Sequence, residues 1–245
     1  MDERLVADMS NPQKIPVTIV LPSLNPDEKL TAVLYELREA GFDDILLVND
    51  GSDSAHLTYF PSEDDENCEL LTHEVNRGKG AALKTAFLRF LQSRSESIGV
   101  VTVDGDHQHR AEDVRRCAEA MFEDPRFVIL GVRDFSKQGT PFRSRAGNLL
   151  TSLVFRVFCG LRISDTQTGL RAIPRSYLPD LAGVEGDRFE YETNMLLEMK
   201  KRNIPYRESP IETVYIEGNS SSHFHAVRDS FKIYRLIFKF LFSQK

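Results

Sequence analysis

Short apolar runs, each stopped abruptly by polar residues, set the rhythm of the first half of the chain. Val17-Thr-Ile-Val-Leu21 reads as a buried strand, halted by Pro22 and the turn-prone Ser23-Leu24-Asn25-Pro26. From about Asp27 the period becomes helical, with Leu30, Val33, Leu34 and Leu37 on one face and Gly41 at the end. Ile45-Leu-Leu-Val48 is a second strand and runs into Asn49-Asp50-Gly51-Ser52-Asp53. Leu70-Leu71 marks a short third strand, after which Asn76-Arg77-Gly78-Lys79-Gly80 opens a helix through Phe90. Val100-Val-Thr-Val103 is a further strand, followed by a helix over about 111–122 and a strand over 127–132. Strands alternating with helices in this way predict a doubly wound α/β sheet. In such sheets ligands sit beyond the carboxyl ends of the strands, where Asp50, Asp53, Asp104 and Asp106 all fall.

The second half is less regular. Residues 146–160 form an apolar helix whose stripe of Leu149, Leu150, Leu153, Val154, Val157 and Phe158 reads by default as core packing. A polar loop, Ser164-Asp165-Thr166-Gln167-Thr168-Gly169, leads into a strand at Leu170-Arg171-Ala172. Arg188-Phe189-Glu190-Tyr191-Glu192 introduces a helix with Met195, Leu196 and Met199 apolar, and the last strand is expected over 211–214. Near the C-terminus, Arg228, Lys232, Arg235 and Lys239 make one basic stripe among Phe231, Leu236, Phe238, Phe240 and Phe242. Such a helix either packs into its own domain with one charged face or lies in an anionic membrane interface; so many Phe residues favour the membrane. The predicted division is a flexible N-terminus over 1–14, one domain over 15–224, and the basic amphipathic helix over 225–245.

Composition narrows the functional classes. A chain of 245 residues with 41% apolar and 28% charged residues buries one full core. A net charge of −6 argues against a nucleic-acid binder. Cys68, Cys117 and Cys159 form no CxxC and cannot all pair, so a reducing compartment is expected. The acidic start at Asp2 and Glu3 is no secretory signal, and no apolar run is long enough to span a bilayer. These features predict a cytoplasmic protein, compatible with a membrane surface. The histidines lack ligand spacing with any cysteine, which speaks against zinc.

The candidate chemistry centres on Asp104-Gly105-Asp106-His107-Gln108-His109. Carboxylates at i and i+2 of an extended strand end project to one side, so Asp104 and Asp106 can converge on a hard cation, with Gln108 adding a neutral oxygen. Gly105 is expected to leave space for something large to approach. The same stretch also reads as a polar loop capping the next helix. The Asn76–Gly80 loop can hold a phosphate or simply start a helix; it lacks the Walker spacing. Arg133, Lys137, Arg143 and Arg145 supply counter-charge for a diphosphate or are ordinary surface arginines and lysine.

Taken together, Leu21-Pro22-Ser23-Leu24-Asn25, Asn49-Asp50-Gly51-Ser52-Asp53, the Asn76 and Asp104 motifs, Arg143-Ser144-Arg145 with Asn148, and Asp165-Thr166-Gln167-Thr168-Gly169-Leu170-Arg171 resemble the GT-A-fold glycosyltransferases of family 2. The likeness is close to the polyprenyl-phosphate (dolichyl-phosphate) mannose and glucose synthases and runs over almost the whole chain. The resemblance implies a mixed, mainly parallel sheet flanked by helices and a metal-dependent enzyme. It implies nucleotide-sugar binding by Pro22, Asn25, Asp50, Asp53, Gly78, Lys79 and Asp104. Mg²⁺ or Mn²⁺ would sit on Asp104, Asp106 and Gln108. Arg133, Arg143, Arg145 and Arg171 would meet phosphate, and Asp104, Asp106, Asp165 and Glu192 would be catalytic. The sequence departs from the family at Pro26, where an acidic residue is usual, at Glu192, often Asp or Gln, and at Asn194, often Glu.

A sugar hydroxyl acceptor needs a general base. A phosphomonoester, with a second pKa of about 6, arrives already charged and needs cations instead. The basic cluster and the basic helix fit the second requirement. The expectation is therefore inverting transfer of a hexose from a UDP- or GDP-sugar to a polyprenyl phosphate, by a peripheral protein on the inner face of the plasma membrane. A separate integral membrane protein, such as a flippase, would be a partner. The competing expectations are a hydroxyl acceptor with Glu192 or Asp165 as base, and a non-catalytic nucleotide-sugar-binding adaptor. A nucleotidyltransferase is disfavoured, because its Gly-rich, basic loop after the first strand is absent.

Overall fold

The computed structural model describes residues 14–62, 64–134, 148, 151–153, 155–157 and 160–212. The expectations for residues 1–13, Lys137, Arg143, Arg145 and the basic C-terminal helix lie outside the described residues.

Alternating apolar residues build the sheet from both sides. In β2 (Ile45–Asn49), Ile45 and Leu47 face one layer while Leu46 and Val48 face the other, and all four are buried. The same split runs through β1 (Val17–Ser23) and β4 (Gly99–Thr102). Because both faces are covered, these strands read as unbroken apolar runs. With β3 (Cys68–Thr72), β5 (Val128–Arg133), β6 (Arg171–Pro174) and β7 (Tyr206–Ile211) they form one sheet in the order β3-β2-β1-β4-β6-β5-β7. β6 runs antiparallel to β4 and β5, and the other pairs are parallel. The expected mixed, mainly parallel sheet is the one found.

Helices α1 (Glu28–Glu39) and α3 (Ala111–Glu123) cover one face. The other is covered by α2 (Lys79–Ser93), α4 (Leu178–Ala182) and α5 (Glu190–Lys201). Leu30, Val33, Leu34 and Leu37 are the buried stripe of α1, and Asp27 caps it by accepting from Lys29 N at 3.0 Å. The cap thus lies one residue after Pro26. Cys68 and Cys117 are buried free thiols, each pushed up to about 12 by burial.

Three expectations are corrected. Pro22 does not end β1, which continues to Ser23 and pairs Pro22 with Val48. Even-numbered residues of β1 turn their backbone groups toward β4, as Val20 O does in accepting from Val103 N. That ladder ends with the pair Val20 and Thr102, so Pro22, which lacks an N–H, lies past its last paired residue. The last described strand, Tyr206–Ile211, begins before the expected 211–214, of which residues 213 and 214 lie outside the described residues. It is an edge strand whose exposed Arg207, Glu208 and Pro210 hide the apolar signal. In the helix before the polar loop, Asn148, Thr151 and Phe155 are buried, while Leu153 and Val157 are 54% and 64% exposed. The buried face is the one that reaches the loop, through Asn148 Nδ2 to Ser164 O at 2.6 Å.

Candidate active site

The site lies where the carboxyl ends of β1, β2 and β4 meet the start of α2. The first two ends are cross-braced. Asn25, at φ 49°, donates from its backbone N to Ser52 Oγ at 2.8 Å. Its side chain and Asp53 exchange two hydrogen bonds, Asp53 N to Asn25 Oδ1 at 2.8 Å and Asn25 Nδ2 to Asp53 Oδ2 at 3.2 Å. Asn49 Oδ1 closes the turn by accepting from Ser52 N at 2.9 Å.

Asp50 is buried and fixes the neighbouring loop. Its Oδ2 accepts from Gly78 N at 2.7 Å and its Oδ1 from Arg77 N at 2.9 Å. His73 Nδ1 lies 2.7 Å from the same Oδ1, and His73 Nε2 lies 2.9 Å from Thr85 Oγ1. Gly51, at φ 73°, has no room for a side chain against the backbone of Val75 and Asn76. One carboxylate thus ties the end of β2 to the start of α2. The sequence reading missed His73, a lone histidine with no motif around it.

Lys79 opens α2, the end of a helix least suited to a cation. Two carboxylates offset this. Lys79 Nζ is 2.7 Å from Asp104 Oδ1 and 2.9 Å from Glu192 Oε2, so it joins the ends of β4 and α5. Burial disfavours each charge, yet attraction outweighs it. Lys79 is held above the usual lysine range by Asp104 and Glu192, and Asp104 well below the carboxylate range by Lys79 and then His109. His109 Nε2 is 3.6 Å from Asp104 Oδ2, and its buried Nδ1 has no hydrogen-bond partner among the described residues. Gly169 presses on the same carboxylate, since a Cβ there would overlap both Asp104 oxygens. Thr102 Oγ1 holds that loop by donating to Gly169 O at 2.6 Å.

Burial, and then the charge of Asp104, raise the Asp106 carboxyl above its ordinary value. Gln108 N donates to its Oδ1 at 3.2 Å. Two neighbouring carboxylates, one of them resisting ionisation beside the other, are a donor set that a hard divalent cation relieves. Among the described residues no group of three or more His, Cys, Asp or Glu side chains is placed to hold a metal ion, so Mg²⁺ or Mn²⁺ on Asp104 and Asp106 would draw its remaining ligands from the substrate. Gly105 does not open space toward the pocket as expected; its bare Cα faces the side chains of Leu21 and Leu30.

Of the described candidates, Glu192 stays at the site beside Lys79, while Arg133, Arg171 and Asp165 are engaged within the protein. Arg133 turns onto Asp165, with Nε to Oδ2 at 2.6 Å and Nη2 to Oδ1 at 3.1 Å, and the Asp165 side chain is 0% exposed. Arg171 is buried beneath the site, where Nη1 donates to the Glu192 carbonyl at 2.8 Å; burial lowers its pKa. Pro22, Asp50, Gly78, Lys79 and Asp104 do come together, around a pocket of about 360 Å³. Its remaining wall is Ser23, Leu24, Asn76, Arg188 and Phe189. The sequence reading gave no function to Arg188 or Phe189, because they approach from a loop far along the chain.

A sheet of this order with acidic strand ends around one pocket defines a glycosyltransferase of the GT-A type. The model of glycosyl transferase family 2 matches residues 18–182, and the chain belongs to that family. It is 26% identical over 242 residues to a UDP-N-acetylglucosamine–dolichyl-phosphate N-acetylglucosaminyltransferase of Methanococcus voltae, covering 90% of this chain and 94% of that protein. It is 25% identical to a dolichyl-phosphate beta-glucosyltransferase of Dictyostelium discoideum, covering 97% and 78%. The fold also matches glucosyl-3-phosphoglycerate synthase of Mycobacterium tuberculosis, whose crystal structure holds Mn²⁺, UDP and glucosyl-3-phosphoglycerate. That match has a TM-score of 0.64 at 15% identity and covers 93% of this chain and 78% of that one. The expected enzyme class, a glycosyltransferase of family 2, is the one found. Among the described residues no helix is long and apolar enough to cross a membrane.

Proposed function

We propose that this enzyme transfers a hexose from a UDP- or GDP-linked donor to a polyprenyl phosphate, with inversion at the anomeric carbon, on the cytoplasmic face of a membrane. The observation that carries this reading is the engagement of both candidate bases. Asp165 is buried in a two-pronged pair with Arg133, and Glu192 is paired with Lys79. A hydroxyl acceptor needs a carboxylate free to take its proton, whereas a phosphate dianion needs none. Similarity to two dolichyl-phosphate transferases supports the same acceptor class.

In this mechanism one acceptor phosphate oxygen attacks the anomeric carbon while the bond from that carbon to the donor diphosphate breaks, and the diphosphate leaves with the electron pair. Pro22, Asn25, Asp50, Asp53 and Gly78 would form the nucleotide end of the pocket. Asp104, Asp106 and Gln108 would hold Mg²⁺ or Mn²⁺, which supplies counter-charge to the leaving diphosphate when bound. Lys79 keeps Asp104 ionised and aimed, and Arg143 and Arg145 would receive the acceptor phosphate. The basic stripe from Arg228 to Lys239 would rest on an anionic surface. A sugar-phosphate head does not cross hydrocarbon unaided, so an integral membrane partner would move the product.

The test is a transfer assay with purified protein, undecaprenyl phosphate and a panel of UDP- and GDP-sugars, with Mg²⁺ or Mn²⁺ and then with EDTA. A glycolipid formed from one donor and abolished by EDTA is expected. Glu192→Gln should retain turnover within about ten-fold of wild type. Loss by several orders of magnitude would instead indicate a base and a hydroxyl acceptor.

A further inference from the structure

Arg188 is the cation in the pocket wall that no motif accounts for. It is exposed, and among the described residues no hydrogen bond or ion pair engages its guanidinium; its backbone is held, with N donating to Glu190 Oε1 at 3.3 Å and O accepting from Tyr191 N at 3.2 Å. Its position is nevertheless set by tight packing. Ala81 N donates to Asp187 O at 3.0 Å, and Lys84 Nζ pairs with Asp187 Oδ1 at 2.9 Å. A Cβ on Gly78 would overlap Asp187 O and lie 2.7 Å from Arg188 Cγ, and one on Gly80 would lie 2.5 Å from Tyr191 Cβ. Both glycines admit this loop against the start of α2. The Arg188 stem therefore lies over Gly78, whose neighbour Lys79 reaches Asp104.

The charges around the pocket leave a role for that guanidinium. Lys79 is committed to Asp104 and Glu192, and Asp50 is committed to two backbone N–H groups and His73. An entering anion meets two carboxylates in the described wall, Asp50 and Asp104, with Lys79 already spoken for. Among the described residues Arg188 is the remaining positive group in the wall, and its planar fork suits a phosphate oxyanion.

We propose that Arg188 is a phosphate ligand of this pocket and binds the diphosphate of the nucleotide donor. The proposal rests on the nucleotide-sugar reading of the site. An acceptor phosphomonoester presents the same chemistry, so the experiment separates the two sources. Calorimetric titration of UDP and GDP, and of uridine and guanosine, into wild type, Arg188→Gln and Arg188→Lys with Mg²⁺ present forms one arm. The KM for undecaprenyl phosphate at saturating donor forms the other. Arg188→Gln should weaken the diphosphate that wild type binds by roughly ten- to a hundred-fold and leave the matching nucleoside unchanged. Arg188→Lys should recover part of the loss. An unchanged diphosphate affinity with a ten-fold higher acceptor KM would keep Arg188 as a phosphate ligand and move it to the acceptor. If wild type binds a diphosphate and Arg188→Gln alters neither measure, the Arg188 proposal alone is refuted. If wild type binds neither diphosphate, the donor reading itself falls.

Discussion

Replacing Lys79 by Met removes the cation that three segments share. The side chains concerned are 17% exposed for Lys79, 27% for Asp104 and 13% for Glu192, so the pair is mostly but not wholly withdrawn from water. Removing one partner of a fully buried pair costs about 3–5 kcal/mol; with this residual hydration about 2–4 kcal/mol is expected. At about 2–4 °C per kcal/mol for a chain of this size, the melting temperature should fall by roughly 4–16 °C. The pH dependence gives the sharper test. Asp104 titrates below its unfolded value of about 3.9, so its contribution is fully present above about pH 4 and is lost as pH falls through the lower folded value. The stability gap between wild type and Lys79→Met should be constant from about pH 5 to 8 and should narrow below about pH 4. Added Mg²⁺ should stabilise the variant more than the wild type, because it supplies charge to the orphaned carboxylates. Urea unfolding across pH, with and without Mg²⁺, measures all three. A gap below about 1 kcal/mol that neither pH nor Mg²⁺ changes would refute the bridging role.

Other perturbations follow from the same geometry. Asp50→Asn leaves one of the Arg77 and Gly78 N–H groups without an acceptor, so urea unfolding should show a loss of about 1–3 kcal/mol. Gly169→Ala drives a methyl into the Asp104 carboxylate; Mn²⁺ binding followed by electron paramagnetic resonance should weaken about ten-fold or more, which no change would contradict. Asp165→Asn leaves Arg133 without its buried carboxylate and should cost about 3–5 kcal/mol on denaturant unfolding.

The motifs at the strand ends were legible because each is local. Asn25 and Asp53, Asp50 and Gly78, and Asp104 with Lys79 all proved to be neighbours, as their positions after successive strands required. Their partners were less legible. Arg133 stood in the sequence as a phosphate ligand and Asp165 as a base, yet in the structure each is the other's counter-ion. Nothing local distinguishes an arginine that awaits a phosphate from one already paired.

The sequence by itself determined the sheet and its two layers, since period-2 and period-3.6 burial patterns are properties of short segments. It also determined that acidic residues gather at one edge of that sheet, because parallel strands all deliver their carboxyl ends to the same side. Only the tertiary structure decided which charges cancel. Lys79 meets Glu192, and Gly78 admits Arg188, across a stretch of chain that holds β4, β5 and β6. Such contacts depend on how β6 and α5 fold back over the sheet. The energy of an ion pair depends on separation and burial in space, which spacing along the chain does not encode.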